Sequence, residues 1–326
     1  MRTPDDSGFQ LINLGYNTIF RPNRLSLGLV VPLESYTKGP VPTMSRHVER
    51  VQLAEELGFS AIWLRDVPFN VPTFGDAGQV YDPFVYLGLL AGQTECIALG
   101  VASIVLPLRH PAHVAKAAAS ADALSGGRLI LGVASGDRPE EYPALNLPFD
   151  DRGDRFRASF EYITRMWEDS PSFENIYGNP YGGMDMLPKP VSEKLPLLIT
   201  GGSQQAPDWI AGNGDGWITY PRNIATQERM VRDWRARIKA SGGSDKPAMQ
   251  SLYVNLVDDP GTAPQPIIHL GFRLGVTHLR SYLKSLEEIG INHVAINLRF
   301  NQAGIESTLK RLANEILPDF HRSGLV

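Results

Sequence analysis

Residues 97–136 read IALGVASIVLPLRHPAHVAKAAASADALSGGRLILGVASG, and the architecture turns on this stretch. Ile97–Leu106 is an apolar, β-rich run. Pro111 sits where a helix can start, because a first-turn residue does not need its N–H. The alanine-rich segment Ala112–Leu124 follows as a helix, SGG at 125–127 is a turn, and Arg128–Val133 is a second β-rich run. Strand, helix and strand in about forty residues make a βαβ unit, whose crossover is right-handed and whose strands are parallel.

The same alternation continues on both sides. Upstream, Leu25–Val31 precedes a helix-period stretch over Thr43–Leu57, and Ser60–Leu64 precedes a long ordered loop, Arg65–Tyr81, and a helix over Pro83–Thr94. Downstream, a polar loop covers Ser135–Arg152 and a helix Asp154–Trp167. Ser170–Lys194, with four prolines, is a second long excursion. Strands are expected at Leu195–Thr200, Asp215–Tyr220, Gln250–Val257 and Asn292–Leu298. Helices are expected at Gln205–Ala211, Thr226–Ala240, Thr277–Ile289 and Ile305–Ile316. Eight such units suffice to close a (β/α)8 TIM barrel. The rival, a doubly wound open sheet, wants a phosphate fingerprint after its first strand, and LVVPLESYTKG has none. We therefore expect one barrel domain over 1–326, with residues 1–24 as an N-terminal extension.

Composition excludes several classes. The 326 residues are 43% hydrophobic and 20% charged with a net charge of −4, so the chain is globular and offers no basic field to nucleic acid or an anionic membrane. The longest apolar run is too short to span a bilayer, and MRTPDDSGFQ has no secretory pattern. A soluble, cytoplasmic protein is expected. The single cysteine, Cys96, excludes an internal disulfide and reads as a buried thiol. His110 and His113 lack a third ligand nearby, so His110 reads as a helix-start residue and no metal is expected. Asp150, Asp151 and Asp154, alternating with Arg152, Arg155 and Arg157, read as a solvated helix entry.

In such a barrel the working residues stand at the C-terminal ends of strands and in the loops beyond. Thr200-Gly201-Gly202-Ser203-Gln204 joins a strand end to a helix start, where free backbone N–H groups favour an anion such as phosphate. A plain turn with Ser203 as N-cap fits the same residues. Ala134-Ser135-Gly136 is a second strand end with a flexible exit.

The block 97–136, with LAEELGFSAIWLRD at 53–66, LPFDDRGDRFRASFEYITRMW at 147–167 and PKPVSEKLPLLITGGSQQAPDWIAGNGDGWI at 188–218, resembles the bacterial luciferase-like monooxygenase superfamily over about two-thirds of the chain. The resemblance implies a barrel with inserted segments, a homodimer, and FMN or a deazaflavin at the barrel mouth. It implies a non-proline cis peptide behind the flavin ring at Ala102–Ser103. Further flavin contacts are implied at Ala134, Ser135 and Gly136, the phosphate at Thr200, Gly201, Gly202, Ser203 and Gln204, and an aromatic at Tyr220. Luciferase carries a catalytic histidine after the second strand. This chain has Arg65-Asp66-Val67 there, so any base is a different group, and Arg65 and Asp66 are the nearest candidates beside a structural ion pair.

The function implied first is an FMN-dependent monooxygenase. A separate reductase would supply reduced FMN, and oxygen would be delivered to a small apolar substrate screened by Phe69, Phe74, Tyr81 and Tyr177. The alternatives are hydride transfer on a deazaflavin, whose acidic tail would need Arg65, Arg138 and Arg222, and a flavin-binding protein without turnover. Subunits are expected to pair through Pro83–Thr94 and the alanine face of Ala112–Leu124, with Ala118 and Ala119 in the seam.

Overall fold

The computed structural model describes residues 8–74, 76–268 and 270–320; the first seven residues of the expected N-terminal extension lie outside them. In chain order the first half contains α1 (Leu14–Ile19), β1 (Ser26–Val30), α2 (His47–Glu56), β2 (Ala61–Leu64), α3 (Pro83–Ala91), β3 (Ala98–Val105), α4 (Pro111–Leu124), β4 (Leu129–Ala134), α5 (Glu141–Ala144) and α6 (Arg152–Met166). The second half contains β5 (Leu197–Thr200), α7 (Pro207–Asn213), β6 (Gly216–Thr219), α8 (Ile224–Ala240), β7 (Ala248–Leu256), β8 (Gln265–Ile268), β9 (Gly271–Leu274), α9 (Val276–Glu288), β10 (His293–Asn297), α10 (Ile305–Glu315) and α11 (Leu317–Phe320).

Strands β1 to β7 pair in sequence, all parallel, and β10 pairs with both β7 and β1. Eight parallel strands thus close a barrel with helices outside it. Side chains alternate across the wall, as a period of two requires. Val30, Ala61, Trp63, Ala98, Ile130, Leu198, Ile218, Met249 and Ala295 cluster in the lumen. Leu27, Leu29, Ile62, Leu64, Leu131 and Val133 belong instead to the cluster shared with the helices. Trp63 fills the centre, and a Cβ at Gly100 would lie 2.3 Å from its ring, so no other residue fits there.

Three segments carry structure that hydropathy did not reveal. The N-terminal extension is a plug: Tyr16, Ile19 and Phe20 pack into the lumen cluster at the N-terminal end of the strands. Asn13 accepts from Tyr16 N at 2.9 Å and donates to Asp122 and Leu129 O, which ties α1 to β4. β8 (Gln265–Ile268) and β9 (Gly271–Leu274) pair antiparallel, and β9 extends β7 where that strand outruns its neighbours. Cys96 is exposed, not buried. The Glu55 carboxylate accepts from the N–H groups of Glu95, Cys96 and Ile97, and this holds the turn at the surface.

The alanine face of α4 is also spent inside the chain. Ala115, Ala118 and Ala119 are fully buried, with α3 and α6 packed on either side of α4, so Ala118 and Ala119 cannot form a seam between subunits. His110 is the N-cap of α4 and accepts from Ala112 N. Among the described residues no group of three His, Cys, Asp or Glu could hold a metal, and no helix is long and apolar enough to cross a membrane.

Candidate active site

The mouth is built from the strand ends that the barrel brings side by side. On one side stand β3, β4 and β5. The Ala102–Ser103 peptide is cis, and the β3–β4 register shifts between Val101 and Ile104, so the chain bulges at this point. Ser103 Oγ contacts Thr200 Oγ1, coupling the bulge to the end of β5. Between them, a Cβ on Gly132 would lie 2.3 Å from Val101 O, which is why the neighbouring strand can approach so closely. Ala134 is half-exposed at the end of β4 and Ser135 is buried, its carbonyl taken by Tyr142 Oη.

The turn 200–204 departs from a simple helix start. Gly201, Ser203 and Gln204 have φ of 56°, 41° and 58°. Ser203 Oγ donates to Thr200 O at 2.7 Å, and the cap of α7 is Ala206, so Ser203 is not an N-cap. Among the described residues, Gly201 N–H is used by Ile218 O and Gln205 N–H by Gly202 O, whereas no backbone carbonyl engages the N–H groups of Gly202, Ser203 and Gln204. Successive N–H groups in such a turn make a concave anion site without help from a helix dipole. Tyr220 is exposed beside it, its ring 3.3 Å from where a Gly201 Cβ would be.

Across the mouth, β1, β2 and β10 contribute charge. Arg65 and Asp66 do not pair with each other. Asp66, its side chain 1% exposed, accepts from Arg109 Nε at 3.0 Å, Arg109 Nη2 at 2.7 Å and Val105 N at 3.1 Å. Its lone pairs are committed to holding the end of β3. Arg65 turns into the mouth and pairs with Asp76, which Arg299 Nη1 also reaches at 3.2 Å. Asp76 accepts further from Tyr36 Oη at 3.1 Å and Gly78 N at 2.9 Å. Burial opposes ionisation of Asp76, but Arg65, the Gly78 N–H and Arg299 hold its pKa below the usual value.

The loop after β4 completes this side. Arg138 stacks on Phe74 at 4.3 Å and donates to Asp76 O at 3.3 Å. Glu141, the first residue of α5, lies 3.8 Å from Arg138, with side chains 3% and 7% exposed respectively. Burial pushes Glu141 up to about 7 against the pull of Arg138. Of the expected screening aromatics, Phe74 covers a mouth side chain, that of Arg138. Tyr81 packs on His47 and Tyr86, and Tyr177 on His110. Tyr36, Asp76 and Glu141 carried no sequence signal. Tyr36 and Asp76 sit in loops, and Glu141 opens a helix of only four residues, too short to write a period.

A family model described as luciferase-like monooxygenase matches residues 25–296, which is most of the chain. The chain belongs to the luciferase-like monooxygenase family. It is therefore an oxidoreductase of the luciferase-like type. An uncharacterised protein of Mycobacterium tuberculosis is 30% identical over 226 residues, covering 64% of this chain and 79% of its own length. The F420-dependent glucose-6-phosphate dehydrogenase of Kineococcus radiotolerans is 26% identical over 248 residues, covering 73% and 70%. Among solved structures, the oxygenating constituent of 3,6-diketocamphane monooxygenase from Pseudomonas putida, a type II Baeyer-Villiger enzyme in complex with FMN, superposes with a TM-score of 0.73. It is 14% identical and covers 91% of this luciferase-like chain and 99% of its own.

Proposed function

We propose that the chain is an FMN-dependent monooxygenase that uses reduced FMN from a separate reductase on a small organic substrate, and that it works as a homodimer. One observation carries the flavin placement. The unengaged N–H groups of Gly202, Ser203 and Gln204 are joined through the Thr200–Ser103 contact to the bulge at Ala102–Ser103. A phosphate on the turn and a flat ring against Ala102, Ser103 and Ala134–Gly136 suit that arrangement. When bound, the reduced flavin would supply the electrons for oxygen activation. The protein's part is to hold the phosphate, shape the ring's floor from small residues, and limit water through Phe74 and the loop after β4.

A second reading, hydride transfer on a deazaflavin, has the F420-dependent relative in its favour. The charges at the mouth weigh against its long acidic tail. Arg65 and Arg138 are engaged with Asp76 and Glu141, and of the three expected cations only Arg222 is exposed without an ion-pair partner among the described residues. Calorimetry with FMN, reduced FMN and a deazaflavin separates the two. Gly202→Asp is a clean probe of the placement, because a Cβ there meets nothing within 4 Å. The added carboxylate is expected to weaken FMN binding about a hundredfold, close to 3 kcal/mol, at an unchanged melting temperature. FMN affinity equal to that of the unmodified chain would refute the phosphate site.

A further inference from the structure

We propose that Trp217 and Gln205 are positioning residues that aim the N–H groups of the 200–204 turn at an incoming phosphate. The inference rests on the phosphate reading above and adds how the chain prepares that site. In a planar trans peptide the C=O of one residue and the N–H of the next point in opposite directions, so whatever holds the carbonyl also aims the N–H. The unengaged N–H groups of Gly202, Ser203 and Gln204 share their peptides, all trans, with the carbonyls of Gly201, Gly202 and Ser203. Each of those carbonyls is held from the far side. Gly201 O accepts from Trp217 Nε1 at 2.9 Å, Gly202 O from Gln205 N at 2.7 Å, and Ser203 O from Gln205 Nε2 at 3.2 Å. Gly202 and Gln204 are exposed, and a Cβ on Gly202 would meet nothing within 4 Å, so the turn is open to a ligand.

Both side chains are themselves held. Trp217 stands on the outward side of β6, since its neighbour Ile218 belongs to the lumen cluster, and its ring lies 5.7 Å from that of Trp234 on α8. An indole N–H can only donate, so Nε1 serves the carbonyl alone. The Gln205 amide is fixed at both ends. Its Nε2 also donates to Gly153 O at 2.8 Å, and its Oε1 accepts from Arg157 Nε at 3.0 Å. Arg157 in turn lies over the Trp209 ring at 5.2 Å. The turn is thus tied to β6 on one side and to α6 on the other. Its positive φ angles at Gly201, Ser203 and Gln204 are ones a free chain seldom adopts, and these ties hold them. Donors set in place before the anion arrives spare the cost of ordering them at binding. Trp217, the last residue of the GDGW stretch at 214–217, thereby acquires a task at the mouth although its ring faces away from the lumen.

The test compares FMN with riboflavin, which lacks the phosphate, by calorimetry on the full chain, unmodified and as Trp217→Phe and Gln205→Met. Both replacements keep most of the side chain's bulk and remove its donor to the turn. The unmodified chain should bind FMN at least about tenfold more tightly than riboflavin. Each variant should lower that ratio about fivefold while riboflavin affinity stays within about twofold. A ratio unchanged in either variant overturns the role of that residue. A loss shared equally by the two flavins overturns the positioning role as well, because general damage to the fold does not single out the phosphate. A ratio near one in the unmodified chain overturns the phosphate reading itself. Should neither flavin bind, inorganic phosphate is titrated and followed through the amide signals of the turn. Those of Gly202, Ser203 and Gln204 should move together, with the Gly202 response lost in Trp217→Phe and the Gln204 response lost in Gln205→Met. Responses unchanged in the variants overturn the positioning role, and silence in the unmodified chain overturns the anion site with it.

Discussion

His293 shows how one buried side chain records its surroundings. Trp63 Nε1, which can only donate, lies 2.8 Å from His293 Nε2, so that nitrogen must present its lone pair and Nδ1 must carry the proton. Nδ1–H then donates to Ser26 Oγ at 2.7 Å, and Ser26 donates to Ile19 O at 2.7 Å. A second proton on the ring would set two donors face to face. Burial accordingly holds the His293 pKa at about 3, against an ordinary 6.5. The unfolded chain binds this proton below pH 6.5 and the folded chain does not, so stability is complete above 6.5 and is lost as pH falls from there towards 3. The loss is on the order of 5 kcal/mol. His293→Gln keeps both hydrogen-bonding roles without the titration. Its urea midpoint should fall less than that of the unmodified chain between pH 7 and pH 4.5, and parallel falls would reject the assignment.

At the scale of elements, the N-terminal helix α1 matters more than its six residues suggest. It closes the lower end of the barrel with Tyr16, whose hydroxyl donates to Asp215 O at 2.8 Å and whose ring is 2% exposed. Tyr16→Ala would open a cavity beside Phe20 in the lumen cluster and should lower stability by about 3–5 kcal/mol, read as a drop in the denaturation midpoint. An unchanged midpoint would mean that α1 is not a plug in solution. The SGGR turn that stands out in the sequence serves this end of the barrel too. Gly127 O accepts from Gly15 N, and the Arg128 guanidinium donates to Ser125 O, Ile97 O, Ala91 O, Thr94 O and Thr94 Oγ1. That motif is legible as a turn between helix and strand, but apart from Ser125 its partners come from segments thirty and more residues away.

For the whole molecule, the proposed pairing of subunits has to use the surface that the fold leaves over. Val85 on α3 is 73% exposed and Leu124 on α4 is 69% exposed, whereas Ala118 is at 0%. Light scattering is expected to give twice the 35.9 kDa of one chain. Val85→Glu should return it to one chain with little change in melting temperature. Ala118→Glu should instead lose roughly 3–5 kcal/mol of folding stability whatever the subunit count, because it buries a carboxylate. A stable Ala118→Glu monomer would restore the alanine seam.

The barrel was legible from residues 97–136 outward because each βα unit writes its period locally: apolar strands buried on both faces, helices with one apolar stripe, prolines and glycines between. The turn at 200–204, proposed above to hold the phosphate, was legible as a turn for the same reason, since its glycines and hydroxyls are neighbours in the chain. Nothing local announced that Asp66 is bound by Arg109, that Asp76 gathers Arg65 and Arg299, or that residues 14–19 stop the barrel. Those are contacts between segments that only ring closure brings together, and a carboxylate in a loop has the same hydropathy whether it catalyses, pairs or faces water. Composition and period determined which segments become wall and which become rim. The closed sheet decided which rim charges meet, because the partners of each come from strand ends far apart in the chain.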